Sequence, residues 1–401
     1  MLYKKGQNIK KIRSVLERMT FAEFFAGIGL MRMGLENQGW SIAFANDISA
    51  DKYKMYADQF PDAKNHFLLA DIHTLNPDIV PTVALATASF PCNDLSLAGM
   101  REGLCGKQSS AYWGFIRILE EMQERRPRIV LLENVAGFLT SHGGRDFQVA
   151  LLALNRLGYA VDSLIIDAER FLPQSRVRLF VIGSLQNGHG SWEVHEPRTF
   201  YESEVRPGPL AEFIFTHPEI VWNIRSLPAL PDRKLSLRDV LEGLPDSSSF
   251  WWSKERTDYL VNQMSKKHSQ QLQAMMAARK WSFGTVFRRI RNGKSMAELR
   301  TDGIAGCLRT PRGGSGRQIL VKAGFGKVMA RLLMPRECAR LMGADRFSID
   351  VPLNRALFGF GDAVCVPVIE WIARHYLNPM VEEMLDKEKL DFSEMAVYQG
   401  S

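Results

Sequence analysis

Phe24-Phe25-Ala26-Gly27-Ile28-Gly29 stands between an apolar run, residues 21–25, and an amphipathic one, residues 30–38. A strand that turns through glycines into a helix brings backbone close to a ligand, and the free N–H groups of the helix start suit an anion. Glycines in such a turn also serve plain packing, so the loop does not by itself separate the two uses. Asp47 sharpens the reading. It ends the next strand-like run, residues 42–45, twenty positions after Gly27. An acid at that place can accept hydrogen bonds from ribose hydroxyls. Asp71 closes a third run, Ala70-Asp71-Ile72. The loop lacks the complete GxGxxG pattern, which disfavours a nicotinamide dinucleotide relative to S-adenosylmethionine.

The same rhythm extends outward. Residues 83–88, 129–132, 161–166 and 178–182 read as strands, and residues 50–59, 112–125 and 147–157 as helices. Alternation of this kind predicts a parallel, doubly wound sheet with helices on both faces. It stops after Ser184. The chain beyond that point is rich in Pro, Ser and aromatics, with one helical stretch at 257–280 and a Gly/Arg-rich segment at 309–326. Helical patterning returns at 335–342 and 363–376. The expected layout is a discontinuous first domain, residues 1–184 and 335–385, a second, irregular domain at 185–334, and a peripheral tail at 386–401.

Chemistry concentrates at the ends of the predicted strands. Pro91-Cys92 comes just after residues 83–88, and doubly wound folds place their sites at that edge. A thiolate is a strong nucleophile when its pKa is lowered, although a buried structural Cys is the commoner case. Glu133 closes residues 129–132, and Gln174-Ser175-Arg176-Val177-Arg178 leads into another strand, whose alternation puts Arg176 and Arg178 on one side. A thiol, a carboxyl group and two guanidinium groups suit addition to an electron-poor heterocycle.

The 401 residues carry a net charge of +7. Residues 280–331 hold twelve Lys/Arg against two acids, Glu298 and Asp302, a local net of +10 that leaves about −3 for the rest. A basic segment on a near-neutral body points to a polyanion. The candidate contacts are Arg309, Arg312, Arg317 and Gln318, since Arg pairs with guanine and Gln with adenine. Five scattered cysteines without a CxxC pair argue against a disulfide framework or a structural metal site, and no metal is expected. No run of 18 apolar residues is present, and no membrane association is expected.

With these residues in hand, the chain resembles the cytosine-5 DNA methyltransferases, of the bacterial restriction–modification type. The resemblance rests on an ordered set: residues 25–29, Asp47, Asp71, Pro91-Cys92, Glu133-Asn134-Val135, Gln174 to Arg178, Arg336 to Gly343, and Gly361-Asp362-Ala363-Val364. It implies a Rossmann-like S-adenosylmethionine-dependent fold with a smaller DNA-recognition domain at 185–334. It implies that Cys92, Glu133, Arg176 and Arg178 are catalytic. The cofactor would lie on Phe25, Ala26, Gly27, Gly29, Asp47, Ile48, Asp71, Ile72, Pro91, Asp362 and Val364. Double-stranded DNA is the implied partner of a monomeric cytoplasmic, nucleoid-associated enzyme, with a cognate restriction endonuclease or other defence proteins acting separately. Three positions depart from the pattern: Asn93 for the usual Gln, Cys307-Leu308 for Thr-Leu, and Asp362 for Asn. The competing expectations are an RNA (tRNA) cytosine-5 methyltransferase, a catalytically silent DNA binder, and a Rossmann oxidoreductase.

Overall fold

The computed structural model describes residues 16, 18–91, 110–185, 198–291, 293–310 and 317–387. Seven strands form the larger sheet: β1 (Thr20–Phe24), β2 (Ser41–Asp47), β3 (Phe67–Leu69), β4 (Leu85–Ala88), β5 (Ile129–Val135), β6 (Tyr159–Asp167) and β7 (Val177–Leu185). Their spatial order is β3-β2-β1-β4-β5-β7-β6. The sequence turns back at β1, with β2 on one side and β4 on the other, both parallel to it. A doubly wound sheet opens its ligand crevice at such a reversal.

The central strands are buried on both faces, which explains their near-continuous apolar runs. Along β5 the side chains alternate: Ile129 and Leu131 enter one core, Val130 and Leu132 the other. The first core includes helix Leu30–Glu36 and the returning segment after residue 335; the second includes helices Ser110–Met122 and Arg145–Arg156. A Cβ on Gly34 would lie 2.6 Å from the Ile369 side chain. That glycine therefore lets helix Val366–Ile372 pack closely against Leu30–Glu36, joining the two ends of the chain. The apolar helices between Leu353 and Lys387 have 67% of their most apolar window buried, as core helices do.

Several expectations are corrected. The sheet is not wholly parallel, because β7 runs antiparallel to both β5 and β6. Periodicity reports which faces are buried, not strand direction. The strand β3 has three residues, and Asp71 lies beyond it, capping a short 3-10 turn through its side chain. The expected helix at 257–280 is two, Lys254–Asn262 and Lys266–Ala277. In the final stretch Ala363 is extended, helix Val366–Ile372 comes next, and helix runs on through a π-turn, Ala373–Leu377, to Lys387.

The region read as irregular contains a four-stranded antiparallel sheet in the order β11-β10-β8-β9, made of β8 (Ser282–Arg291), β9 (Lys294–Arg300), β10 (Ile319–Gly324) and β11 (Lys327–Leu332). Helices Lys254–Asn262 and Lys266–Ala277 cover one face, where Leu260, Met264 and Leu272 meet Val286, Ala297 and Val321. The sheet is tied back by a buried ion pair. Arg331 donates to both oxygens of Glu337, at 2.7 and 2.5 Å, and Glu337 also accepts from the Met334 amide at the start of helix Pro335–Leu341.

Candidate active site

A cleft of about 400 Å³ opens at the carboxyl ends of β1, β2, β4 and β5. That is within the size range of small-molecule sites. The β1 turn shapes its floor. Phe25, Gly27 and Gly29 take positive φ angles of 57°, 58° and 84°. The turn is held by the Gly27 amide, which donates to Asp47 Oδ2 at 2.9 Å, and the Ser49 amide donates to the other oxygen at 2.8 Å. Asp47 is thereby fixed at the mouth of β2. Gly29 does not line the cleft; a Cβ there would lie 2.4 Å from the Phe60 ring, so its absence lets helix Leu30–Glu36 start.

Every other expected cofactor residue lines this one cleft: Phe25, Ala26, Gly27, Asp47, Ile48, Asp71, Ile72, Pro91, Asp362 and Val364. Ile48 presents an apolar face at 68% exposure, suited to cover a planar ring. Asp362 explains its own departure from Asn. Its carboxylate pairs with the Lys52 ammonium at 2.9 Å and accepts a hydrogen bond from the Thr310 hydroxyl. Burial alone depresses the Lys52 pKa, but Asp362 and Asp47 outweigh it and raise it.

Glu133, Arg176 and Arg178 border the same cleft. Arg178 Nε lies 2.9 Å from Glu133 Oε1. The neighbouring Asn134 amide donates to the Phe90 carbonyl at 3.3 Å, drawing the ends of β5 and β4 together. Pro91 thus stands beside Glu133's strand end. Cys92, the expected nucleophile, and Asn93 lie outside the described residues, as does Arg312.

Arg176 and Arg178 come together, yet do different work. Arg176 is 2% exposed. Its guanidinium donates to the carbonyls of Leu308, Gly361 and Ala363 at 2.9, 3.1 and 2.5 Å. It therefore clamps two distant segments behind the cleft. Burial, with Arg178 nearby, lowers its pKa. Both arginines meet the sulfur of Cys307, at 3.4 and 3.9 Å. Gln174 completes the junction, giving an amide hydrogen to Leu341 O at 2.7 Å and accepting from Leu308 N at 3.0 Å.

Of the expected DNA contacts, Arg309 is exposed and Arg317 half-buried. Gln318 is almost wholly buried. It is 7% exposed, with its amide 3.3 Å from the Cys307 carbonyl, and it packs on Gly306. It supports the loop that carries Gly306 and Cys307.

Sequence reasoning missed Glu23. It is 2% exposed, lines the cleft, and leaves Oε2 without a hydrogen-bond partner. Burial raises its pKa well above the usual carboxylate range. The signal was an acid inside an otherwise apolar central strand, Phe21-Ala22-Glu23-Phe24. An orphaned carboxyl, a ribose-directed acid and an apolar ring cover fit a cationic nucleoside such as S-adenosylmethionine. Among the described residues, no group of three His, Cys, Asp or Glu side chains is placed to hold a metal ion.

Comparison with known proteins agrees with this geometry. The profile of the family described as C-5 cytosine-specific DNA methylase matches residues 19–378. Type II methyltransferase M.DsaV of Dactylococcopsis salina is 27% identical over 94% of this chain and 92% of its own. Type II methyltransferase M.HhaI of Haemophilus parahaemolyticus is 25% identical over 89% and 94%. Among solved structures, the S. pombe Dnmt2 methyltransferase superposes with a TM-score of 0.58 at 18% identity, covering 92% of this chain and 99% of that one.

Proposed function

The chain belongs to the C-5 cytosine-specific DNA methylase family, and we propose that it methylates a flipped-out cytosine in a specific duplex sequence through a covalent adduct on Cys92. The enzyme is a DNA cytosine-5 methyltransferase whose methyl donor is S-adenosylmethionine. The observation that carries the finer reading is the Glu133–Arg178 pair, set beside Pro91 at the mouth of the cofactor cleft.

In this reading the Cys92 thiolate adds to carbon 6 of the cytosine, which makes carbon 5 nucleophilic. Glu133 holds a proton at ring nitrogen 3 and accepts from the exocyclic amine, favouring the enamine. Arg178 donates to the base oxygen while keeping the Glu133 carboxyl in place. Bound cofactor supplies an electrophilic methyl group. Loss of the carbon 5 proton and departure of Cys92 restore the ring. A stacked cytosine hides carbon 6, so the base must leave the helix, at about a few kcal/mol.

The remaining residues bind and orient. Asp47 accepts from ribose hydroxyls, Glu23 faces the cofactor's ammonium, and Ile48 covers its adenine. Residues 185–334 act as the target-recognition domain beside a catalytic domain of residues 1–184 and 335–385. Arg309 and Arg317 touch the DNA. The type II names of the relatives support a restriction–modification setting; the reading takes the enzyme as a monomer, with an endonuclease acting separately.

Bisulfite sequencing tests the reading directly. Plasmid DNA from a host without its own cytosine methylation, expressing this chain, should show protected cytosines in one short motif. Complete conversion, with transfer of labelled methyl groups to tRNA instead, would replace DNA with RNA as the substrate.

A further inference from the structure

Lys52 and Asp362 line one cleft, yet they come from opposite ends of the chain. Lys52 lies in the first turn of helix Ala50–Gln59, just after Asp47, and Asp362 ends helix Leu353–Asp362. The two helices also touch away from the cleft. A Cβ on Gly359 would lie 2.8 Å from the Met55 sulfur, and Arg355 Nε is 3.3 Å from Asp51 Oδ1. At 2.9 Å, the Lys52–Asp362 pair joins the 46–52 side of the cleft to the 359–364 side.

With side chains 29% and 42% exposed, the pair adds little to the stability of the fold. Its carboxylate, however, also reaches the segment read as part of the recognition domain. The other Asp362 oxygen accepts from the Thr310 hydroxyl. A Cβ on Gly361 would lie 2.7 Å from Arg309 C and 2.8 Å from Thr310 N, so the 309–310 backbone rests directly on Gly361. Arg176 then links the Leu308 carbonyl to those of Gly361 and Ala363. Residues 308–310 and 361–363 are thereby fastened into one piece, and Lys52 ties that piece to the helix that follows the ribose-directed acid.

We propose that Lys52 is a positioning residue that couples the cofactor to the recognition segment. With the pair closed, the two sides of the cleft hold the cofactor between them, and residues 308–310 stay seated against the same wall. Cofactor and duplex then favour the same closed arrangement, and such coupling is reciprocal. This rests on the cofactor and DNA readings above.

The test uses the full chain and follows release of S-adenosylhomocysteine, with and without a duplex bearing the motif protected from bisulfite. The duplex should slow release from the wild type. Lys52→Ala and Asp362→Asn should each speed release from the ternary complex by about fivefold, the upper end for an exposed pair. The double variant should release no faster than the faster single one, because residues in contact are not additive. Lys52→Arg, which keeps a charge able to reach Asp362, should restore slow release. The factor by which S-adenosylhomocysteine tightens duplex binding should shrink in Lys52→Ala and persist in Lys52→Arg. Release and coupling unchanged in Lys52→Ala, or additive effects in the double variant, would overturn the clasp alone. So would a duplex that binds the wild type without slowing release. A wild type that does not bind S-adenosylhomocysteine would overturn the cofactor reading, and one that binds it but not the duplex would overturn the DNA reading, each taking the coupling with it.

Discussion

Arg178 and Glu133 meet as an ion pair across two antiparallel strands, with Nε 2.9 Å from Oε1. Arg178 stands opposite Val135, so Glu133 is its diagonal neighbour, within reach of a long side chain. The pair sits where β5 opens into the cofactor cleft. A carboxyl group held from one side by a guanidinium keeps its other oxygen directed at the cleft.

Glu133→Gln should therefore lower single-turnover methyl transfer by about 10²–10⁴-fold, the usual worth of a positioned acid or base. Duplex and cofactor affinity should hold. Arg178→Lys should fall between the two, since an ammonium keeps the charge but not the fork. Equal turnover in Glu133→Gln and the wild type would remove Glu133 from the chemistry.

Arg176 should behave differently from Arg178. Its guanidinium satisfies three backbone carbonyls from two segments. Arg176→Ala leaves those carbonyls without their donors, at a cost on the order of 3 kcal/mol or more. Denaturant unfolding should show that loss, and cofactor affinity should fall with it because Gly361 and Ala363 border the cleft. A variant with native stability and only a turnover defect would instead favour a direct role at the base.

Glu23 couples stability to pH. Its folded-state pKa is raised by burial, so the folded chain holds a proton that the unfolded chain releases at lower pH. Its contribution is fully present below the ordinary carboxylate pKa and is lost as pH rises toward the raised value. Glu23→Gln should therefore be more stable than the wild type at neutral pH. It should also bind S-adenosylmethionine more weakly, since the cofactor's ammonium favours the carboxylate. Calorimetry in two buffers of different ionisation enthalpy should detect proton release on binding to the wild type and not to the variant.

Cys307 brings a thiol to a position the family usually fills with Thr. Burial opposes its ionisation, but Arg176, Arg178 and Arg309 outweigh that and hold its pKa below the usual thiol range. Iodoacetamide should label the Cys307 peptide with a midpoint below that of an ordinary thiol. Cys307→Thr should keep turnover and lose that labelled peptide. Buried Cys338 and Cys365, both raised by burial, should label slowly. A midpoint at or above the ordinary thiol value would contradict the arginine cradle.

Much of the site was legible because it is written in short segments at strand ends. Local patterning located residues 24–29, Asp47, Asp71, Pro91, Glu133 and the Arg176–Arg178 pair; parallel strands bring their carboxyl ends to one edge whatever the intervening loops, whereas Arg176 and Arg178, at the start of β7, reach that edge because β7 runs antiparallel. The antiparallel direction of β7 was not legible, because a fully buried strand reads the same both ways. The sheet at 282–332 was passed over, although its sequence carries Asn292-Gly293, a dipeptide favoured in tight hairpins. What only tertiary structure decided is the division of labour among like residues. Arg176 and Arg178 are equivalent in the sequence, but three distant carbonyls capture one and Glu133 the other. Gln318 reads in the sequence as a polar surface group, and the fold places its amide against the Cys307 carbonyl. Asp362 reads as a lapse until Lys52, from the other end of the chain, supplies its charge. Residue type and spacing determine which groups reach a site. The partners that settle what each group does come from segments far apart in sequence, and folding alone brings them together.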